Sequence, residues 1–262
     1  MKLEEAVAMI EEIVSPDTQE NWDNTGIQAA AGSGEVSKVL TCLEITGEVI
    51  EEAKEKGADF IVTHHPLIFG GLRSVDFRET TGSYLIELIR AGISVYSCHT
   101  PFDKMDGGNN DFIANLLELQ DVQGFFHEGA ENRIGRTGYL KEEASLDSVR
   151  RLLSQKLELD SGQIRMVGDP EMKISKVGIC TGAGADLLPL AAENGCSLFI
   201  TGDLKYHDAQ KAKALGLAVL DAGHYGTEKS FGANFAMKLK EKAGDKLEVF
   251  QSQVDINPFE MI

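Results

Sequence analysis

Short apolar runs alternate with mixed, charged segments along this chain, and the alternation separates strands from helices. "VSKVLTCLEI" (36–45), "ADFIVT" (58–63) and "ISVYSC" (93–98) read as strands, the second of them buried on both faces. Between them "TGEVIEEAKEKG" (46–57) and "TGSYLIELIRAG" (81–92) read as helices closed by Gly57 and Gly92. Repeated helix-to-strand joints of this kind predict α/β layers with mainly parallel strands. Farther on, "RIGRTGYL" (133–140) and "QIRMVG" (163–168) read as strands on either side of an amphipathic helix, "SLDSVRRLLSQKLEL" (145–159). "GFFHEGAEN" (124–132) reads as a loop holding an exposed His127.

The pattern also repeats. Residues 36–66 align without a gap onto 174–204: Ser37, Lys38 and Val39 match Ser175, Lys176 and Val177, Cys42 matches Cys180, Gly57 matches Gly195, and Thr63 matches Thr201. An internal duplication is the expectation. The break in it is informative, because His64 and His65 of the first copy face Gly202 and Asp203 of the second. A histidine pair that the second copy lacks is not demanded by the fold.

Charge narrows the partners. The 262 residues carry a formal net charge of −17, which repels phosphate backbones and anionic lipid, so neither nucleic acid nor membrane is expected. The N-terminal "MKLEEAVAMIEEIV" has Glu where a signal peptide is apolar, and no run reaches membrane-spanning length; a cytoplasmic location is the expectation. Cys42, Cys98, Cys180 and Cys196 form no C-x-x-C pair and read as buried thiols, neither disulfides nor metal ligands.

Ligands bind at the carboxyl edge of parallel α/β sheets. Five of the six histidines follow strand ends: His64 and His65 after one, His99 after the next, and His207 and His224 in the second half. Asp103, Asp203 and Glu228 accompany them. Neutral imidazoles with carboxylates suit zinc, manganese, iron, cobalt or nickel. Pro66 keeps His65 extended, so the adjacent side chains are expected to point apart, one to each of two ions, with Asp103 or Glu228 bridging. His224 and Glu228 are four apart, on one face of a helical turn. "TGAGAD" (181–186) reads as an ordinary strand-to-helix turn or, less favoured, an anion cradle. "GGLRSVDFRETTG" (70–82), with Arg73 and Arg78, reads as a solvated loop or a lid. No G-x-S-x-G or phosphate-loop motif is present.

Taken together, "NWDNTGIQ" (21–28), "THHPLIF" (63–69), "SCHTPFD" (97–103) with the following "GGNN", "TGDLKYHDA" (201–209) and "DAGHYGTE" (221–228) resemble the dinuclear-metal toroidal-hexamer family related to the yeast Ngg-interacting factor three. Many bacterial members bear the name GTP cyclohydrolase 1 type 2 homologue. The resemblance covers the whole chain and implies His64, His65, Asp103, His224 and Glu228 as ligands of two divalent metal ions. His99 and His207 would lie nearby for second-sphere contacts or proton transfer. It further implies two interlaced α/β domains, 1–123 with 222–262 and an inserted 124–221, and a homohexameric ring with a small-molecule or nucleotide substrate. The activity it points to is metal-dependent hydrolysis, with purine ring opening as the named reaction. The alternative is a metal store, metallochaperone or metal-gated scaffold without turnover.

Overall fold

The apolar runs become buried strands in a computed structural model that describes residues 1–160 and 162–260. Residues 161, 261 and 262 lie outside it, among them the last two positions of the expected 222–262 segment. In chain order the elements begin with α1 (Leu3–Ile13), β1 (Gly26–Ala29), β2 (Lys38–Cys42), α2 (Gly47–Lys56), β3 (Phe60–Thr63), α3 (Thr80–Ala91), β4 (Ser94–Ser97) and α4 (His99–Lys104). Next come α5 (Asn109–Leu116), β5 (Gln120–His127), β6 (Ala130–Ser145), α6 (Leu146–Lys156), β7 (Arg165–Val167), β8 (Lys173–Ile179), α7 (Leu188–Glu193), β9 (Leu198–Thr201), α8 (Tyr206–Ala214), β10 (Ala218–Asp221) and α9 (His224–Glu228). The chain closes with α10 (Phe231–Ala243) and β11 (Glu248–Gln251).

Two compact units result. The first comprises 1–102 and 230–258, the second 103–229 with 259 and 260. The expected joints at 123/124 and 221/222 both fall inside the second unit. The reason is packing: Ile113, Ala114 and Leu117 of and after α5 share one apolar cluster with Val149, Leu153, Ile174, Ile200 and Leu220. Ala222 belongs to that cluster as well.

In the first unit the sheet order is β1-β4-β3-β2-β11. The pairings β4/β3, β3/β2 and β2/β11 are parallel, and β1 is an antiparallel edge. One face buries Leu40, Ile61 and Val95 against Val49, Ile50 and Leu88 of the two crossover helices. Gly57 and Gly92 stop those helices in the left-handed conformation, as expected.

In the second unit the order is β5-β6-β8-β9-β10-β7. Only the centre, β8-β9-β10, is parallel; the flanking pairings are antiparallel. Alternate residues of β9 enter opposite cores, Leu198 and Ile200 on one face and Phe199 on the other. The "GFFHEGAEN" stretch is not a loop. It forms the hairpin β5/β6, turning at Glu128–Gly129 with φ 49° and 84°, and His127 is exposed at the end of β5. Two positive φ values are what a two-residue hairpin turn needs.

The two strand–helix–strand repeats share more than sequence. Val39 pairs with Phe60 and Val177 with Leu198, which are aligned residues in both partners, so the repeats have the same register. Lys38 Nζ donates to the carbonyl of Lys56, and the aligned Lys176 Nζ to that of Asn194, at 3.3 and 2.7 Å. At Gly202, the place of His64, an added Cβ would lie 2.5 Å from the backbone nitrogen of His224. The second copy therefore has no room there for any side chain. No helix among the described residues is long and apolar enough to cross a membrane.

Candidate metal centre

In the first unit three histidines gather beyond the ends of β3 and β4. The backbone N–H groups of His64 and His65 donate to the carbonyls of Cys42 and Leu43 at 3.3 and 3.0 Å. His64 is fully buried, and its carbonyl accepts from Ser97 Oγ at 2.7 Å. The two rings do not diverge as expected. Their centroids are 5.1 Å apart with planes tilted by 40°. Both residues lie past the last residue of β3, in a bend, so strand alternation does not apply to them. His64 also packs on Phe231 and Phe102 at 5.1 and 6.4 Å. His65 Nδ1 stands 3.6 Å from a Glu44 oxygen.

His99, first residue of α4, lies 5.3 Å from His64 and 5.9 Å from His65, ring to ring. Its Nδ1 is 2.6 Å from Asp23 Oδ1. Asp23 Oδ2 accepts from the Thr100 N–H at 3.1 Å and from the Thr100 hydroxyl. Burial pushes the Asp23 carboxyl up, but the hydrogen bonds to His99 and Thr100 outweigh it and hold the group well below the usual carboxylate range. An ionised Asp23 on Nδ1 fixes the His99 proton there and leaves Nε2 as the basic atom.

In the second unit Asp103 is buried and closely held. Asn109 Nδ2 donates to its Oδ1 at 2.9 Å, Asn110 Nδ2 to its carbonyl at 3.0 Å, and Thr181 Oγ1 lies 3.5 Å from Oδ1. Arg136, 1% exposed, caps the C-terminal end of α4, the helix that carries Asp103. Its Nη2 donates to the carbonyls of Lys104 and Met105 at 2.9 and 3.0 Å, and Nη1 to Arg133 and Gly135 at 2.7 and 3.1 Å. Its Nε donates to Asp111 at 2.6 Å.

His224 and Glu228 open and close α9, and the four-residue spacing brings Nε2 to 3.1 Å from Oε2. His224 Nδ1 is held by Asp203 Oδ2 at 2.7 Å. Gly182, with φ +65°, passes beside both donors, and a Cβ there would run into Glu228 Oε1 and His224 Nε2. In the "TGAGAD" turn the amides of Thr181, Gly182 and Gly184 donate to Asn110, Thr227 and Thr201, so these three are engaged within the protein. His207 is exposed in the first turn of α8, beside Tyr206. Arg78 of the 70–82 loop is engaged by Asp76 through both carboxylate oxygens.

These donors fit divalent ions. A metal-binding histidine commonly gives its other ring nitrogen to a carboxylate, which fixes tautomer and aim, and His224 with Asp203 has that arrangement. The thiols do not fit. Desolvation pushes Cys42 up to about 12 and Cys196 up to about 11, and raises Cys98 and Cys180 as well, so all four are kept as neutral apolar groups. Each unit thus assembles part of the expected set: His64, His65 and His99 in one, Asp103 and the His224–Glu228 pair in the other. Asp23, Asn109 and Asn110 were not singled out from sequence, although each sits inside a quoted motif, "NWDN" or "GGNN".

The architecture is that of an α/β protein with two sheets, a discontinuous first unit and nitrogen and oxygen donors beyond its strand ends. The family model for Duf34/NIF3 (NGG1p interacting factor 3) matches residues 1–258, and the chain belongs to that family. A Clostridium perfringens protein named GTP cyclohydrolase 1 type 2 homolog is 34% identical over 264 residues, covering 100% of each chain. Among solved structures, Staphylococcus aureus protein SA1388 superposes with a TM-score of 0.88 at 26% identity, covering 100% of this chain and 99% of that one. A Bacillus cereus protein related to NIF3 shares the fold, with a TM-score of 0.90 at 23% identity and the same coverage.

Proposed function

We propose that His64, His65, Asp103, His224 and Glu228 hold two divalent metal ions, and that the protein is a metal-dependent hydrolase with purine ring opening as its candidate reaction. The observation that carries this reading is the Asp203–His224–Glu228 arrangement, a carboxylate-aimed imidazole beside a buried carboxylate. The relative's name, GTP cyclohydrolase 1 type 2 homolog, supports the class of reaction. Ions held there would supply Lewis acidity for hydrolysis. The chain's own part is to aim and to move protons. Asp203 fixes the ring of His224, and Asn109 fixes Oδ1 of Asp103. His99, its Nδ1 proton anchored by Asp23, takes or gives a proton at Nε2.

The test is to load the protein with zinc, manganese, iron, cobalt or nickel in turn and follow loss of purine absorbance with GTP. A substitution His99→Gln is expected to lower turnover about 10²- to 10⁴-fold, the usual share of a general acid–base, while metal content stays unchanged. Stoichiometric metal with no turnover on any nucleotide would count for a metal store instead. The same reading includes a homohexamer as the family resemblance implies it. Sedimentation of the intact protein reads its mass, and a monomer at micromolar concentration would count against the ring.

A further inference from the structure

Trp22 is the only tryptophan of the chain, yet it stands 59% exposed. Phe69 is 62% exposed, and the two rings meet at 6.2 Å and 61°. The ring of His99 lies 5.9 Å from Trp22 and 6.2 Å from Phe69, at 77° and 88°. Three rings thus stand as steep walls of one corner, two apolar and one titratable.

The corner is held from both sides. Asp23, next to Trp22, is engaged by His99 and Thr100. Ile68, next to Phe69, gives its carbonyl to Asn24 Nδ2 at 2.6 Å, and Gln28 Oε1 accepts its N–H at 3.1 Å. Asp23, Asn24 and Gln28 of the "NWDNTGIQ" motif therefore hold the chain next to both aromatic residues. Large aromatic faces fixed in water, beside a histidine whose proton is also fixed, form a surface preorganised for contact.

We infer that Trp22 and Phe69 are the stacking platform for a planar nitrogen heterocycle, a purine-type base, which meets His99 with its edge. The inference rests on the proposed hydrolase reading for its ligand class and on the placement of the three rings for its site. Exposed π faces favour a flat, polarisable ring over an aliphatic one.

The single tryptophan makes the test direct. Its emission in the intact, metal-loaded protein is titrated with guanosine 5′-monophosphate and, as a non-aromatic control, ribose 5-phosphate. The expected result is saturable quenching by the nucleotide alone, weakened about fivefold or more in Phe69→Ala, the low end of what losing one stacking partner costs. Quenching by ribose 5-phosphate to the same extent, no response to the nucleotide, or unchanged affinity in Phe69→Ala would each overturn the inference. So would emission that follows protein concentration and ignores the base, which would mark the pair as a contact between copies. Elemental analysis and the GTP assay on the same samples separate the two readings. Quenching without turnover removes the hydrolase and leaves the platform; turnover without quenching does the reverse.

Discussion

His64→Ala and Glu228→Ala are each expected to abolish stoichiometric metal binding while the protein stays folded. His64 is buried against Phe102 and Phe231, so its loss leaves a cavity at a cost of about 2–4 kcal/mol, set against a total stability of about 5–15 kcal/mol. The backbone survives because its hydrogen bonds there run through main-chain groups and Ser97 Oγ, none of which involve the imidazole. The second copy makes the same point, keeping an identical strand register with Gly202 in that place. Glu228 is 3% exposed, and removing it deletes a buried polar group as well as its contact with His224. That loss and gain partly offset in stability, whereas metal affinity loses a ligand outright. Elemental analysis beside circular dichroism decides the matter. Full metal content in either folded variant would remove that residue from the ligand set.

Arg136→Met is expected to be the most destabilising arginine substitution in the chain, at about 3–5 kcal/mol. The guanidinium has four carbonyls and Asp111 as acceptors, and Met fills the volume without replacing one of these bonds. Leaving buried acceptors unsatisfied costs more than the hydrogen bonds contributed. Arg151 gives the contrast. Its side chain is 73% exposed and meets Asp147 on the surface of α6, so Arg151→Met should cost less than about 1 kcal/mol. Urea midpoints of the two variants measure the difference, and similar shifts would show that the clamp at the end of α4 contributes little.

The parts of the fold that came through in the sequence are those with a single strong periodicity. β2, β3 and β4 each form inside an expected apolar run, β3 ending at Thr63 as read, β2 at Cys42 short of Ile45 and β4 at Ser97 short of Cys98, and α2 and α3 stop at Gly57 and Gly92. β5 did not come through, because its outer positions are exposed and its turn uses Glu128 rather than the Asn or Asp that usually marks positive φ. β1 is only four residues long and mostly exposed or half-buried, too short for a pattern. The unit boundaries differ from the expected ones because α5 packs against α6 and the second sheet, which no local pattern in the sequence records. For the site, spacing sufficed where donors lie on one helical turn, as with His224 and Glu228. It failed at His64 and His65, where the chain leaves the strand and alternation ends. The groups that hold the donors, Asp23 and Asn109 above all, are set by contacts distant in sequence, which periodicity does not carry.

The first unit's sheet is completed by β11, which lies beside β2 and is made from residues 248–251. During synthesis the whole of 103–229 therefore leaves the ribosome before the edge of β2 can be covered. Residues 103–229 are free to fold while the earlier unit waits with an open strand, a state that invites pairing with a foreign chain. Residues 231–251, α10 and β11, thus act as a closing clasp, and a nascent chain halted before β11 should depend on a holding chaperone in a way that the finished protein does not.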